Sequence, residues 1–279
     1  IYLRIYFLGM TATMIYNFGS AILRAVGDTR RPLYYLLTAG IVNVILNLVF
    51  VIRFRMDVAG VGIATVISQC ISALLIVRCM KKEKSAIRLE LRQLKIHRDK
   101  FQKILTIGLP ASFQGMLFSI SNVIIQSSVN GFGAIIVAGN SAAANIEGFV
   151  YVSMNAFYQA SISFTSQNVG AAKYERINRI LYTAEACAVA VGLLLGNAAV
   201  LFGKELLLLY STSEAVIAAG MRRLRIICST YALCGMMDTI VGSMRGLGHS
   251  ILPMIVSLIG ACGLRLFWIF TFFRMERFH

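Results

Sequence analysis

Eight stretches of this chain are apolar over the length needed to cross a bilayer, and nothing else in the sequence limits the possible folds so strongly. They lie near 3–24, 32–54, 60–80, 104–130, 134–168, 179–202, 222–244 and 250–273. A helix rising 1.5 Å per residue crosses about 30 Å of hydrocarbon in roughly 20 residues. A chain of 279 residues that is 58% hydrophobic and 14% charged, with a mean hydropathy of +0.74, carries more apolar surface than one water-soluble core can bury. The expected fold class is therefore all-α: a polytopic membrane protein with about eight transmembrane helices. Two stretches, 104–130 and 134–168, exceed one span, so their ends are expected to project from the bilayer or bend.

Part of the chain occurs twice. Leu3-Arg4-Ile5, Arg24, Gly27, Pro32 and Leu37 recur without a gap as Leu224-Arg225-Ile226, Arg245, Gly248, Pro253 and Leu258, at a constant offset of 221. Matches of Leu and Ile are cheap, but an Arg, a Gly and a Pro held in register are less so. Repeated bundles are a recurrent construction in secondary transporters, whose substrates and coupling ions bind near the bilayer midplane.

The net charge of +15 raises nucleic-acid binding, which the placement of charge argues against. Of 27 Lys and Arg, ten fall within 78–103 and most others sit at span ends. With spans alternating in direction, 17 lie on one face and 10 on the other, which marks the first face as cytoplasmic. Arg222, Arg223 and Arg225 are the exceptions, clustered at an expected outer end. The polar segment 81–100 divides the chain into 1–80 and 101–279. Its Ile87, Leu91 and Leu94 share one helical face, so it is expected to form a basic amphipathic linker helix on the cytoplasmic surface.

Other chemistries find no support in the sequence. The six cysteines show no CxxC pair, the three histidines are scattered, and neither a phosphate-binding loop nor an H-E-x-x-H or G-x-S-x-G motif occurs. No cofactor, no metal site and no enzymatic activity are expected. The chain opens inside a span without Met or a signal peptide and reads as a fragment.

Ionisable and polar residues within spans are the candidate functional groups, since burying them in lipid is costly. Three acids lie inside spans: Glu147, Glu185 and Asp238. The repeat partner of Asp238 is Asn17, so one polar position is filled in both halves. A carboxylate there can exchange a proton or supply oxygens to Na+; the alternative is a structural ion pair, with a basic partner from another helix because Arg245 stands about 10 Å along the same helix. Glu147 shares a face with Tyr151, Met154 and Tyr158, as a polar, aromatic cavity wall or a packing stripe would. Glu185 lies within reach of Arg179 and the interface. The amides of 139–167, among them Asn145, and Gln114, Asn122 and Gln126 on one face of the preceding span call for a lumen or for interhelical hydrogen bonds. Pro110 removes a backbone donor and is expected to bend its helix.

These motifs resemble those of the multidrug and toxic compound extrusion (MATE) transporters, closest to their DinF-like branch. The resemblance rests on the run from Ser20 to Pro32 (SAILRAVGDTRRP), on Ala59-Gly60-Val61-Gly62-Ile63-Ala64-Thr65, on Gly108-Leu109-Pro110, on Gln167-Asn168-Val169-Gly170-Ala171 and on the run from Ser243 to Ser250 (SMRGLGHS). It implies parts of two six-helix lobes, with 1–80 resembling helices four to six and 101–279 helices seven to eleven, and helices one to three and twelve absent. It further implies a monomeric, multi-pass protein of the plasma membrane that exports cationic or amphipathic small molecules in exchange for Na+ or H+ by alternating access, with no nucleic-acid partner. Where the family often carries Asp in an N-x-x-L-D pattern, this chain has Asn43-Val44-Ile45-Leu46-Asn47. The acid common in the seventh helix is absent, with Gln114 and Asn122 the nearest polar substitutes. Asp238 and Glu147 are then the candidates for cation coupling, and Gln114, Asn122, Asn145, Tyr151, Tyr158, Asn17 and Asn47 for the substrate path. The alternative within transport is a flippase of lipid-linked oligosaccharide or cell-wall precursors; its cavity should be strongly cationic, and only Arg265 is expected well inside a span.

Overall fold

The computed structural model describes residues 2–84 and 87–271, the side chain of Phe270 excepted. Residues 85–86 of the expected linker helix and 272–273 of the eighth stretch lie outside the described residues. The described residues are helical with short connections. The chain divides into two compact units, Ile1–Ile96 and His97–His279.

The first unit contains α1 (Tyr2–Leu8), α2 (Met10–Ala25), α3 (Arg30–Leu48, extended by a π turn over Val49–Arg53) and α4 (Asp57–Lys82). α4 is central and packs on the other three. Leu23, Ile76 and Cys79 form its buried core, flanked by Tyr16, Tyr35, Val77 and Ile87. The expected stretch 3–24 is not one helix but two, broken at Gly9, where a Cβ would collide with the Gln69 side chain of α4.

The second unit contains α5 (Arg98–Asn130), α6 (Ala134–Gly170), α7 (Glu175–Leu201), α8 (Gly203–Leu208), α9 (Glu214–Gly246), α10 (Ile251–Ser257), a π turn over Leu258–Gly263, and α11 (Leu264–Phe270). α5 runs without interruption through Pro110. α9 packs along α6 and α7, and small residues set the spacing. A Cβ on Gly139 would lie 2.6 Å from the Val216 carbonyl oxygen, one on Gly242 2.8 Å from that of Tyr158, and one on Gly192 3.0 Å from Ala232 Cα. Such close backbone approach is how helices associate where lipid supplies no hydrophobic drive between them.

Among the described residues, seven helical segments are long and apolar enough to cross a membrane, from Arg30–Arg53 to Ile251–Ile269. The eighth expected span is the broken pair α1 and α2. Arg30–Arg53 combines a mean hydropathy of 2.3 with only 6% burial over its most apolar window, and Leu36, Leu37, Ile41, Val44 and Ile45 are exposed along it. An apolar surface of that extent is at home in lipid, not in water. The chain is a multi-pass membrane protein.

The repeat holds in backbone geometry. Gly27 and Gly248 have φ of 89° and 91° and follow the ends of α2 and α9. In the first copy, Gly27 N–H donates to Arg24 O and Asp28 N–H to Leu23 O; in the second, Gly248 N–H donates to Arg245 O and His249 N–H to Met244 O. This paired pattern is the Schellman motif, which needs a left-handed residue and so selects Gly. The following helices start at Arg30 and Ile251, again 221 apart, and bury Pro32 and Pro253 in their first turns.

The expected amphipathic linker helix is not formed. Within 83–97 the described residues hold only a 3-10 turn, Leu91–Gln93. Lys84, Arg88 and Arg92 would stand four residues apart on one face of a helix and repel one another. Instead Leu89 N–H donates to Met80 O and Ile87 packs on the α2–α4 core, while Leu91 and Leu94 stay exposed. Nearby, Asp28 accepts from the Arg30 and Arg31 backbone N–H groups and from the Arg31 side chain, which also donates to Glu83 at 2.6 Å.

Two outcomes are expected. Gly139→Ala should lower stability by about 1–3 kcal/mol, as overpacking against backbone does, whereas Gly148→Ala, with nothing within 4 Å of the new Cβ, should not; thermal unfolding of the purified protein compares them. Slight burial raises the Asp28 pKa, but the hydrogen bonds from Arg31 and Arg30 outweigh it and hold the carboxyl below its usual value. Its contribution is therefore present above the unfolded-state pKa near 3.8 and is lost as pH falls through the lower folded value. Asp28→Asn should remove that acid-side loss from a stability profile measured between about pH 6 and pH 3.

Candidate functional site

The in-span acids fall into different environments. Glu147 is buried on α6 and meets Arg223 of α9 in a two-pronged ion pair: Arg223 Nε donates to Glu147 Oε1 at 2.8 Å and Nη2 to Oε2 at 2.7 Å. Arg223 Nη1 also donates to Asn140 Oδ1, and Asn140 Nδ2 donates to Gln126 Oε1 of α5 at 3.3 Å. Arg222, Arg223 and Arg225 therefore do not act as one cluster. Arg223 turns toward α6, and its two neighbours are exposed.

Arg245, near the other end of α9, makes a second junction. Its Nη2 donates to Gln114 Oε1 of α5 at 2.7 Å, its Nη1 donates to the Tyr158 hydroxyl of α6, and the guanidinium carbon lies 5.7 Å from the Tyr158 ring centroid. Its Nε is enclosed with no hydrogen-bond partner among the described residues. The expectation that Arg265 alone would bring a basic side chain in among the spans thus needs correction, since Arg223 and Arg245 both point between helices while Arg265 is exposed. A carboxylate inside one span demands a partner from another, but Arg222, Arg223 and Arg225 lie together at one span end and the sequence does not tell which of them turns inward.

Asp238 lies between these junctions on α9, half-buried, and makes no hydrogen bond or ion pair with another described residue. Glu185 on α7 also departs from expectation: it does not reach Arg179 or the interface, and both its oxygens are enclosed without a hydrogen-bond partner. Among the path candidates, Gln114 and Tyr158 are brought together by Arg245. Asn122, Asn145 and Tyr151 are exposed on their helices, with Tyr151 outside the buried line of Glu147 and Met154.

In the first unit, Asn47 Nδ2 donates to Asn43 Oδ1 at 3.0 Å, Asn43 Nδ2 to Ser68 Oγ at 3.2 Å, and Ser68 Oγ to the Thr65 carbonyl. Asn47 Oδ1 and Gln69 Oε1 are enclosed acceptors with no partner among the described residues. Asn17 is exposed on α2. Among the described residues no group of three or more His, Cys, Asp or Glu could hold a metal ion.

Comparison with known proteins places this arrangement. A family model described as MatE matches residues 110–271, and one described as "Lipid II flippase MurJ" matches residues 2–137. Two Bacillus subtilis (strain 168) proteins are similar along the chain. "Probable multidrug resistance protein YpnP" is 28% identical over 97% of this chain and 59% of its own length; "Probable multidrug resistance protein YoeA" is 25% identical over 94% and 58%. The outward-facing structure of a multidrug resistance MATE family transporter of the MOP superfamily superposes with a TM-score of 0.87 at 22% identity, covering 97% of this chain and 62% of that one. The chain thus spans about three-fifths of the length of the relatives it matches.

The Glu147–Arg223 pair should show itself in a double-mutant cycle. Glu147→Leu and Arg223→Met are each expected to destabilise, since each leaves a charge uncompensated. The double variant should fall short of their sum by about 1–3 kcal/mol in denaturation of the purified protein; strict additivity would mean the pair is not coupled.

Proposed function

The chain belongs to the MatE family, and on that premise we propose that it works as a secondary antiporter of the plasma membrane, exporting cationic or amphipathic small molecules in exchange for Na+ or H+. Its activity is transport, not catalysis, its coupling ion takes the place of a cofactor, and it acts as a monomer by alternating access. Placement in the DinF-like branch rests on the sequence motifs alone.

One observation carries the reading of the coupling site. Asp238 is a half-buried carboxylate in α9 with neither hydrogen bond nor ion pair among the described residues. A carboxylate in that state binds a proton or a cation when one is available and is costly to leave bare in lipid. Glu147 is the weaker candidate, because Arg223 already compensates its charge. Glu185 is unpaired too, but its oxygens are enclosed, whereas Asp238 is partly open. Gln114 and Tyr158 also belong to the proposed path; a cationic substrate would meet them only by taking the place of the Arg245 guanidinium that they hold. Asn122, Asn145 and Tyr151 of the second unit are further path candidates, as are Asn17 and Asn47 of the first unit taken by itself, and Pro110 is the proposed flexible point of α5.

The match to the flippase model over residues 2–137 favours a second reading, export of a lipid-linked precursor. A pyrophosphate-bearing substrate calls for free cationic groups. Of the arginines turned between helices, Arg223 is neutralised by Glu147 and Arg245 is held by Gln114 and Tyr158, so drug export stands first.

Accumulation of a fluorescent cationic dye in pump-deficient cells expressing the full-length protein tests the proposal. Accumulation should fall with the wild type and return to the level of empty cells with Asp238→Asn at equal membrane expression, while Glu147→Gln retains export. Export surviving Asp238→Asn would remove that residue from coupling, and no export by the wild type would turn attention to lipid-linked substrates.

A further inference from the structure

A groove of about 550 Å³ opens between α6 and the N-terminal half of α7, apart from the junctions around Glu147 and Arg245. Its walls are apolar, with Phe157, Ala160 and Phe164 from α6 facing Ile180 and Ala184 from α7. Toward the α6–α7 connection it is lined instead by Arg176 and Arg179. Both arginines are exposed, and neither forms an ion pair or side-chain hydrogen bond with another described residue. The deeper polar residues are already used: Ser161 Oγ donates to Thr239 O, and Thr183 Oγ1 to Arg179 O.

Two features of this groove point to one kind of occupant. Arg176 and Arg179 stand in the first turns of α7, where the helix dipole disfavours positive charge, so helix stability does not account for them. The preference for basic residues on the cytoplasmic side explains their sign but not their position over a cavity. From Arg176 to Cys187 the groove follows about 16 Å of helix axis, close to half of the roughly 30 Å hydrocarbon thickness. A charged end and an apolar trough one leaflet deep suit a molecule with an anionic head and an acyl chain. Free phosphate would leave the phenylalanine-lined walls unfilled, and a further apolar helix would leave two guanidinium groups unanswered.

We propose that the α6–α7 groove binds an anionic phospholipid from the leaflet on the basic face, with its phosphate between Arg176 and Arg179 and an acyl chain along Phe157, Phe164 and Ile180. The groove shares no lining residue with the Arg223 or Arg245 junctions. Basic pockets between transmembrane helices on the cytoplasmic side recognise lipid headgroups in this way.

Native mass spectrometry of the full-length protein, released from detergent with either phosphatidylglycerol or phosphatidylcholine, tests this. The wild type should retain phosphatidylglycerol about tenfold better than phosphatidylcholine, from two basic groups acting at one headgroup. Arg176→Gln with Arg179→Gln should abolish that preference; both side chains are exposed, so the fold is not at stake. Ala184→Trp, which fills the trough and leaves the arginines in place, should reduce retention of both lipids. Equal retention of the two lipids by the wild type, or a preference that survives both sets of substitutions, would overturn the proposal, as would failure to retain either lipid, which would give the groove to another segment of protein.

Discussion

The close approach of the α9 backbone to α6 and α7 is the constraint on which the second unit depends. Lipid tails are as apolar as leucine, so helices gain little by hiding apolar side chains from one another in a bilayer. They gain by dispersion and by satisfying polar groups, and both require short distances. Gly139 faces Gly220, Gly242 faces Tyr158, Gly246 faces Ile162, and Gly196 and Gly192 face Cys228 and Ala232. With the backbones that near, Ser161 of α6 reaches the Thr239 carbonyl of α9 across the seam. Met154 fills the space beside Gly235 and is 1% exposed.

The same seam decides which charges are answered. Gly139 and Gly220 let α6 and α9 meet about two turns before Glu147 on α6 and about one turn before Arg223 on α9, close enough for the pair to form. A buried pair of this kind contributes little net stability compared with an apolar substitute, but removing one partner is costly. It therefore fixes register between the two helices more than it strengthens their contact. Further along α9, Arg245 reaches past the seam to α5 and ties three helices through Gln114 and Tyr158. Asp238, between the two junctions, is left without either kind of partner, which is why the proposal for ion coupling rests there.

Much of the fold is legible in the sequence, and the reasons differ by feature. Membrane-length apolar stretches are a one-dimensional signal, so the spans from α3 onward lie close to their expected places. The repeat is legible to the level of backbone angle, because only Gly adopts the left-handed turn readily and a Gly at both 27 and 248 marks both helix ends. The linker misleads because helical periodicity of Ile87, Leu91 and Leu94 says nothing of where Ile87 docks; packing on Leu23 and Ile76 overrides it. The contact that leaves no room for a side chain at Gly9 comes from Gln69, sixty residues away in the chain. Glu147 and Asp238 look alike in sequence, each one acid in one apolar run. What separates them is Arg223, and its direction is set by a helix face that the position of the residue near the start of α9 does not disclose.

The claim that Asp238 is the exchanging carboxylate has a direct spectroscopic test. Infrared difference spectra of the full-length protein in lipid, recorded on adding Na+ or changing pH, report carboxyl groups that gain or lose a proton or a cation. The predicted result is a carboxyl signal that disappears in Asp238→Asn and persists in Glu147→Gln. A signal that persists in Asp238→Asn and is lost with Glu147→Gln would contradict it, and would return the coupling role to the residue that Arg223 holds.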